Sequence, residues 1–368
     1  MAMTKSSSGN FFEDFRLGQQ LPHAVPRTVT TGDVALYSAL YGMRFPIQSS
    51  DAFARATGLS RAPVDNLLLF HVIFGKTVPD ISLNAVANLG YADCRLLRPA
   101  YPGDSFTACS EVIGLRENGS GKTGIVYVRS TGFNQTGEAV LSFVRWVMVA
   151  KRDHGRPAPD PVVPSLPSAV DAAALVVPDG FNASGYDRVL AGSLDLFDDY
   201  AIGERIDHID GMTIEEAEHQ IATRLYQNTA KGHFDAVVQR AGRFGRRIVY
   251  GGHIMSLARS LSFNGLANAA FIAAINGGRH VNPAAAGDTI YCWSEVLDKQ
   301  ALAGRDDVGA LRLRTVAVKD RGCEAFPAPD ADEGASVLLD IDYWALMPRT
   351  ALDTAVSNGV ARPPAIHA

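Results

Sequence analysis

Two stretches of the chain, 64–78 and 249–263, are apolar almost without interruption. Each is long enough for a helix buried on all sides. Each follows a more mixed stretch, 31–40 or 213–225, that suits helical turns near the surface. After the first apolar stretch, 105–115, 124–133 and 139–149 predict strands. The clearest is the β-branched and aromatic run from Gly124 to Gly132. One long apolar helix followed by antiparallel strands predicts the α+β class, with the sheet wrapped around the helix.

The pattern occurs twice. Phe12-Glu13-Asp14-Phe15-Arg16-Leu17-Gly18 matches Phe197-Asp198-Asp199-Tyr200-Ala201-Ile202-Gly203 at a separation of 185. At that separation Thr28 meets Thr213, and Leu40-Tyr41 meets Leu225-Tyr226. At 184, Gly103-Asp104 meets Gly287-Asp288 and Ser110-Glu111-Val112 meets Ser294-Glu295-Val296. A register that drifts by one residue over such a length predicts two copies of one domain rather than a solenoid. Prolines 157, 159, 161, 164 and 167 mark an extended linker between them. The expected division is 1–150 for the first domain, 151–192 for a Pro-rich linker and helical connection, 193–349 for the second domain, and 350–368 for a tail. The run 327–332 reads as a surface loop.

The length of 368 residues fits two such domains. A net charge of -5 without a basic run argues against nucleic acid or an anionic membrane as partner. No apolar stretch reaches membrane-spanning length and the first ten residues hold no apolar signal, so a cytoplasmic protein is expected. Cys94, Cys109, Cys292 and Cys323 form no CxxC pair, and no metal site is expected. Gly119-Ser120-Gly121-Lys122-Thr123-Gly124 has half the look of a phosphate loop. Arg116 stands where that motif needs glycine, and a strand follows it, so a hairpin turn is expected. Gly277-Gly278 carries no nucleotide fingerprint.

Chemistry concentrates in the second copy. Asn228 lies five residues before His233, and Val249-Tyr250-Gly251 opens the long apolar helix. This arrangement resembles the MaoC-like, R-specific hydratases. Asn228 stands where those usually carry aspartate, and Tyr250 replaces the histidine before the glycine. The runs Phe12-Glu13-Asp14-Phe15, Leu40-Tyr41-Gly42-Met43-Arg44-Phe45, Phe74-Gly75-Lys76-Thr77-Val78-Pro79-Asp80 and Tyr101-Pro102-Gly103-Asp104 resemble the mesaconyl-CoA hydratase (β-methylmalyl-CoA dehydratase) family. The resemblance covers most of the chain. It implies a double hotdog fold, two antiparallel sheets each wrapped around a long helix, and a CoA thioester substrate. It implies reversible hydration of mesaconyl-C1-CoA to β-methylmalyl-CoA without a cofactor, as in the ethylmalonyl-CoA pathway, and a homo-oligomer.

The site follows from the resemblance. His233 would be the proton carrier, because imidazole can take and return a proton near neutral pH. Asn228 would position water and hold the imidazole, and the Gly251 N–H would bind the thioester oxygen. Asp235 either orients His233 or caps a turn, and Tyr250 is a supporting residue. Arg44, Arg247 and Arg259 are candidates for the substrate carboxylate. At a separation of 185, Asn228, His233 and Gly251 face Met43, Gln48 and Asn66, so the first copy is expected to keep the fold and lose the site. Hydration is expected to slow as pH drops through about 6.5. A hotdog thioesterase, a non-catalytic acyl-CoA scaffold and a hydratase for another enoyl-CoA are competing readings. The first is weakened because 251–261 contains no acid.

Overall fold

The computed structural model describes residues 5–330 and 334–350. The tail expected from residue 350 lies almost wholly outside them, as does part of the 327–332 loop.

The first apolar stretch forms the helix Asn66–Thr77, in which every residue from Leu67 onward is buried. Asp65 caps it, its carboxylate accepting the Leu67 N–H at 2.8 Å. The second forms Gly251–Leu261, buried from Gly252 to Leu261. Two flanking helices, Thr31–Tyr41 and Glu216–Leu225, match the predicted surface turns.

The strands are β1 (Gln20–Thr28), β2 (Ala85–Leu96), β3 (Ser105–Glu117), β4 (Thr123–Phe133), β5 (Ala139–Ala150), β6 (Arg205–Asp207), β7 (Met212–Thr213), β8 (Phe271–His280), β9 (Thr289–Ala301), β10 (Val308–Lys319) and β11 (Val337–Pro348). Their order in the sheet is β1-β3-β4-β5-β2-β8-β11-β10-β9-β6, with β7 also on β9. The order reads as one five-strand set joined to its mirror image. The α+β double hotdog is therefore present, and its two sheets are continuous through β2 and β8.

A pseudo-twofold axis passes through that seam. Ala92 pairs with Gly277, its own counterpart at a separation of 185. The Tyr41 and Tyr226 hydroxyls meet at 2.7 Å across the same separation. So do His71 Nε2 and Ser256 Oγ, at 3.0 Å. Gly75 lets the halves approach closely, since a Cβ there would lie 1.8 Å from the Tyr226 carbonyl oxygen.

The half phosphate loop is a hairpin turn, with the Asn118 N–H bonded to the Thr123 carbonyl at 2.9 Å. The helical connection expected within 151–192 is reduced to two single 3-10 turns, Ala172–Ala174 and Ala183–Gly185. Pro178 and Gly180 interrupt any longer helix, and the segment instead lies along the protein surface through backbone contacts such as Asn182 N–H to Thr57 C=O at 2.8 Å.

Candidate active site

His233 sits on a single helical turn, Lys231–Phe234, beside the entry to the second central helix. Its Nδ1 donates to the Ile248 carbonyl at 2.9 Å. That bond fixes the tautomer and leaves Nε2 as a lone pair. Burial pushes the imidazolium pKa down to about 4, so the ring is neutral at neutral pH. It packs edge-on to Tyr250, with ring centroids 5.7 Å apart.

Tyr250 is the N-cap residue of the second central helix, which makes Gly251 its first residue. The Gly251 N–H has no intrahelical acceptor, and the helix dipole is positive there. Only glycine fits: a Cβ on Gly251 would lie 2.4 Å from Cε1 of His280. His280, at the end of β8, therefore rests directly on the helix entry. Its Nε2 is hydrogen-bonded to the Tyr91 hydroxyl at 3.1 Å. Burial and the nearby His233 push its pKa down to about 4. Tyr250 reaches His71 Nδ1 at 3.3 Å. His253 Nδ1 bonds the Tyr41 hydroxyl at 2.8 Å, which ties the site to the contacts on the pseudo-twofold axis.

Asn228 is 2% exposed and close to the first central helix, at the approach that Gly75 permits. Its Oδ1 accepts the Ala230 N–H at 3.0 Å, leaving the amide NH2 as the group that can orient water. The imidazole is held by the Ile248 carbonyl rather than by Asn228, as the sequence had led us to expect. Asp235 caps the next helical turn, accepting the Val237 and Val238 N–H groups at 3.0 Å each. It is a capping residue.

The three arginine candidates do not reach this group as free cations. Arg44 lies over the Phe263 ring at 4.4 Å. Arg247 is ion-paired with Glu216 at the protein surface. Arg259 stacks on Phe45 at 3.4 Å, in the first copy's counterpart of the site. A cavity of about 200 Å³ lies beside the His233 loop, lined by Glu216, Arg240, Arg246 and Arg247 among others.

His280 and Tyr91 were missed in the sequence. His280 faces Arg95 at the repeat separation, and nothing in its neighbours marks it. Both reach the site from the strands at the seam, and seam pairing is a tertiary fact. Among the described residues, no cluster of His, Cys, Asp and Glu could hold a metal ion, and no helix is long and apolar enough to cross a membrane.

The family model for mesaconyl-CoA hydratase matches residues 2–326. The β-methylmalyl-CoA dehydratase of Chloroflexus aurantiacus is 63% identical over 94% of this chain and 99% of its own length. The chain belongs to the mesaconyl-CoA hydratase family. A mesaconyl-CoA hydratase of Cereibacter sphaeroides is 59% identical over 94% of this chain and all of its own. Among solved structures, a MaoC domain dehydratase of Chloroflexus aurantiacus superposes with a TM-score of 0.92 at 63% identity, covering 95% of this chain and 100% of that one. A double hotdog protein of Mycobacterium tuberculosis gives 0.71 at 26% identity, over 92% and 98%.

Proposed function

We infer that this protein hydrates mesaconyl-CoA reversibly to β-methylmalyl-CoA, with His233 moving the proton. The carrying observation is the half-buried imidazole, its pKa lowered by desolvation, whose Nδ1 is committed to the Ile248 carbonyl. Nε2 takes a proton from water as the water oxygen bonds to Cβ of the enoyl thioester. The electron pair of the C=C bond moves to the thioester oxygen, and the Gly251 N–H stabilises the enolate charge. The imidazolium then returns its proton to Cα. Asn228 orients the water through its amide NH2. Tyr250 walls the site, and His280 packs the helix entry.

In this reading the catalytic domain is 193–349, and 1–150 supplies the facing wall of the pocket. A cytoplasmic homo-oligomer acting on a CoA thioester is part of the same reading, and it rests on the family resemblance. A hotdog thioesterase is disfavoured because 251–261 presents no carboxylate to attack the thioester or to activate water. One assay decides between them: mesaconyl-C1-CoA is incubated with dialysed protein while enoyl absorbance and free thiol are followed. Loss of absorbance without thiol supports hydration. Thiol release, or no change, overturns it.

A further inference from the structure

Arg145 on β5 is fully buried, yet among the described residues no carboxylate pairs with it. Its guanidinium meets two hydroxyls, Thr77 Oγ1 at 2.7 Å and Ser82 Oγ at 3.3 Å, and lies over the Phe74 ring at 4.3 Å. Its Nε–H is buried with no partner. Isolated buried charges are costly and are normally compensated by an opposite charge. Burial lowers its pKa to about 10, so the group stays charged at neutral pH.

Its position connects it to the site. Arg145 is directly opposite Tyr91 in the β2–β5 ladder, which puts the two side chains on one face. Tyr91 bonds His280, which packs on Gly251. Tyr250 interacts electrostatically with Arg145 and also walls His233. Phe74, under the guanidinium, packs on Tyr250 at 5.7 Å. Arg145 and the imidazole thus both adjoin Tyr250.

The other half provides an internal control. At a separation of 185, Phe74 faces Arg259 and Tyr250 faces Asp65; at 198, Arg145-Trp146 faces Tyr343-Trp344. Each half thus places one buried guanidinium at this depth. In the first copy's counterpart of the site it is Arg259, and the Asp65 carboxylate and Tyr343 both act on it electrostatically. In the His233 site it is Arg145, and tyrosine stands where Asp65 would be. The negative charge built into the silent site is missing from the active one.

We propose that Arg145 is the receptor for the substrate's free carboxylate, whose negative charge corresponds to the one that Asp65 supplies electrostatically, without an ion pair, to Arg259. The carboxylate is attached to Cβ, the carbon that receives water, so binding it at Arg145 holds Cβ near Nε2 of His233 while the thioester oxygen meets Gly251. Nε–H and the Nη groups form a fork that suits a bidentate carboxylate. This inference rests on the hydratase reading above.

The test is titration of wild type, Arg145→Gln and Arg145→Lys with two saturated, unreactive thioesters. 2-Methylsuccinyl-C1-CoA carries the carboxylate and 2-methylbutyryl-CoA lacks it. Wild type should prefer the first on the order of 100-fold, as expected for a buried charge pair. The preference should fall to within about threefold in Arg145→Gln and drop about tenfold in Arg145→Lys, with methylbutyryl-CoA binding unchanged. Thermal melting identifies the folded variants. A preference that stays near the wild-type level of about 100-fold in either folded variant, or an equal loss for both thioesters, overturns the proposal. The hydratase reading fails separately, if wild type binds both thioesters but does not hydrate mesaconyl-C1-CoA.

Discussion

The halves of this protein share a backbone plan and differ in what fills one position in each. In the second half, His233 presents a lone pair beside a glycine helix entry. In the first, Gln48 donates to the Ala270 carbonyl at 2.9 Å, and the Asn66 side chain accepts the Ile272 N–H at 3.1 Å. There the polar groups that replaced the chemistry bind the protein itself. The linker also lies over the silent side, where Val176 and Pro178 close on Asn66 and leave a cavity of only about 20 Å³. One site is a structural joint, whereas the other holds the His233 imidazole, the Gly251 helix-entry N–H and the Arg145 guanidinium, which no carboxylate pairs with among the described residues.

The sharpest break of this comparison is His233→Ala against Gln48→Ala. The first should lower hydration on the order of 1000-fold at a stability cost of about 1 kcal/mol from the lost Ile248 hydrogen bond, because it removes the proposed proton carrier. The second should leave kcat within about twofold and cost about 1 kcal/mol of stability through the lost hydrogen bond. Equal activity losses would mean that both halves are catalytic. Gly251→Ala comes next: its Cβ would displace the His280 ring and disturb the thioester donor, so kcat/KM should fall about 100-fold. Asn66→Ala, at the matching position, should leave kcat/KM unchanged. Asn228→Ala should lower kcat about tenfold or more with little change in KM, since it orients water rather than substrate.

The smallest effect is that of mild acid. With a folded-state pKa of about 4, His233 remains a base well below pH 6.5. The sequence-based expectation of a fall near 6.5 is therefore corrected: burial moves it to about pH 4. Burial also holds His208 and His280 near 4, and His71 and His253 near 3, all below the unfolded value. The unfolded chain therefore binds more protons as pH falls below about 6.5, and stability declines from there toward 4 while the catalytic group is still neutral. Melting temperatures should hold from about pH 7.5 to about 6.5 and then drop steadily to about pH 4.5, while the rate at about 25 °C stays level until unfolding begins. A rate that follows an ordinary histidine titration with no change in melting would contradict the buried imidazole.

Much of the fold was legible along the chain. The apolar runs 64–78 and 249–263 could be placed because burial on all sides removes the polar face that usually obscures helix boundaries. The residues that match at a separation of 185 predicted two copies of one domain; only the structure showed that some of them, Tyr41–Tyr226 and His71–Ser256, meet on a pseudo-twofold axis. The connection forms only 3-10 turns where a helix was expected, because alanine content alone cannot nucleate a helix between prolines and glycines. Of the candidate residues picked out by local spacing, the structure brings His233, Tyr250 and Gly251 together, places Asn228 against the first central helix, and makes Asp235 the cap that was one of its two expected roles. The role given to Asn228 in holding the imidazole was not, because the Ile248 carbonyl comes from a separate loop.

The order of residues was enough to determine the duplication, the fold class and the half that kept a histidine, because these are written in periodicity and in short motifs. Only the folded chain decided that the imidazole is neutral, that His280 and Tyr91 close around the glycine entry, and that Arg145 lacks the carboxylate found near Arg259. Those properties depend on distance and burial between groups far apart in sequence, and strand pairing at the seam brings them together.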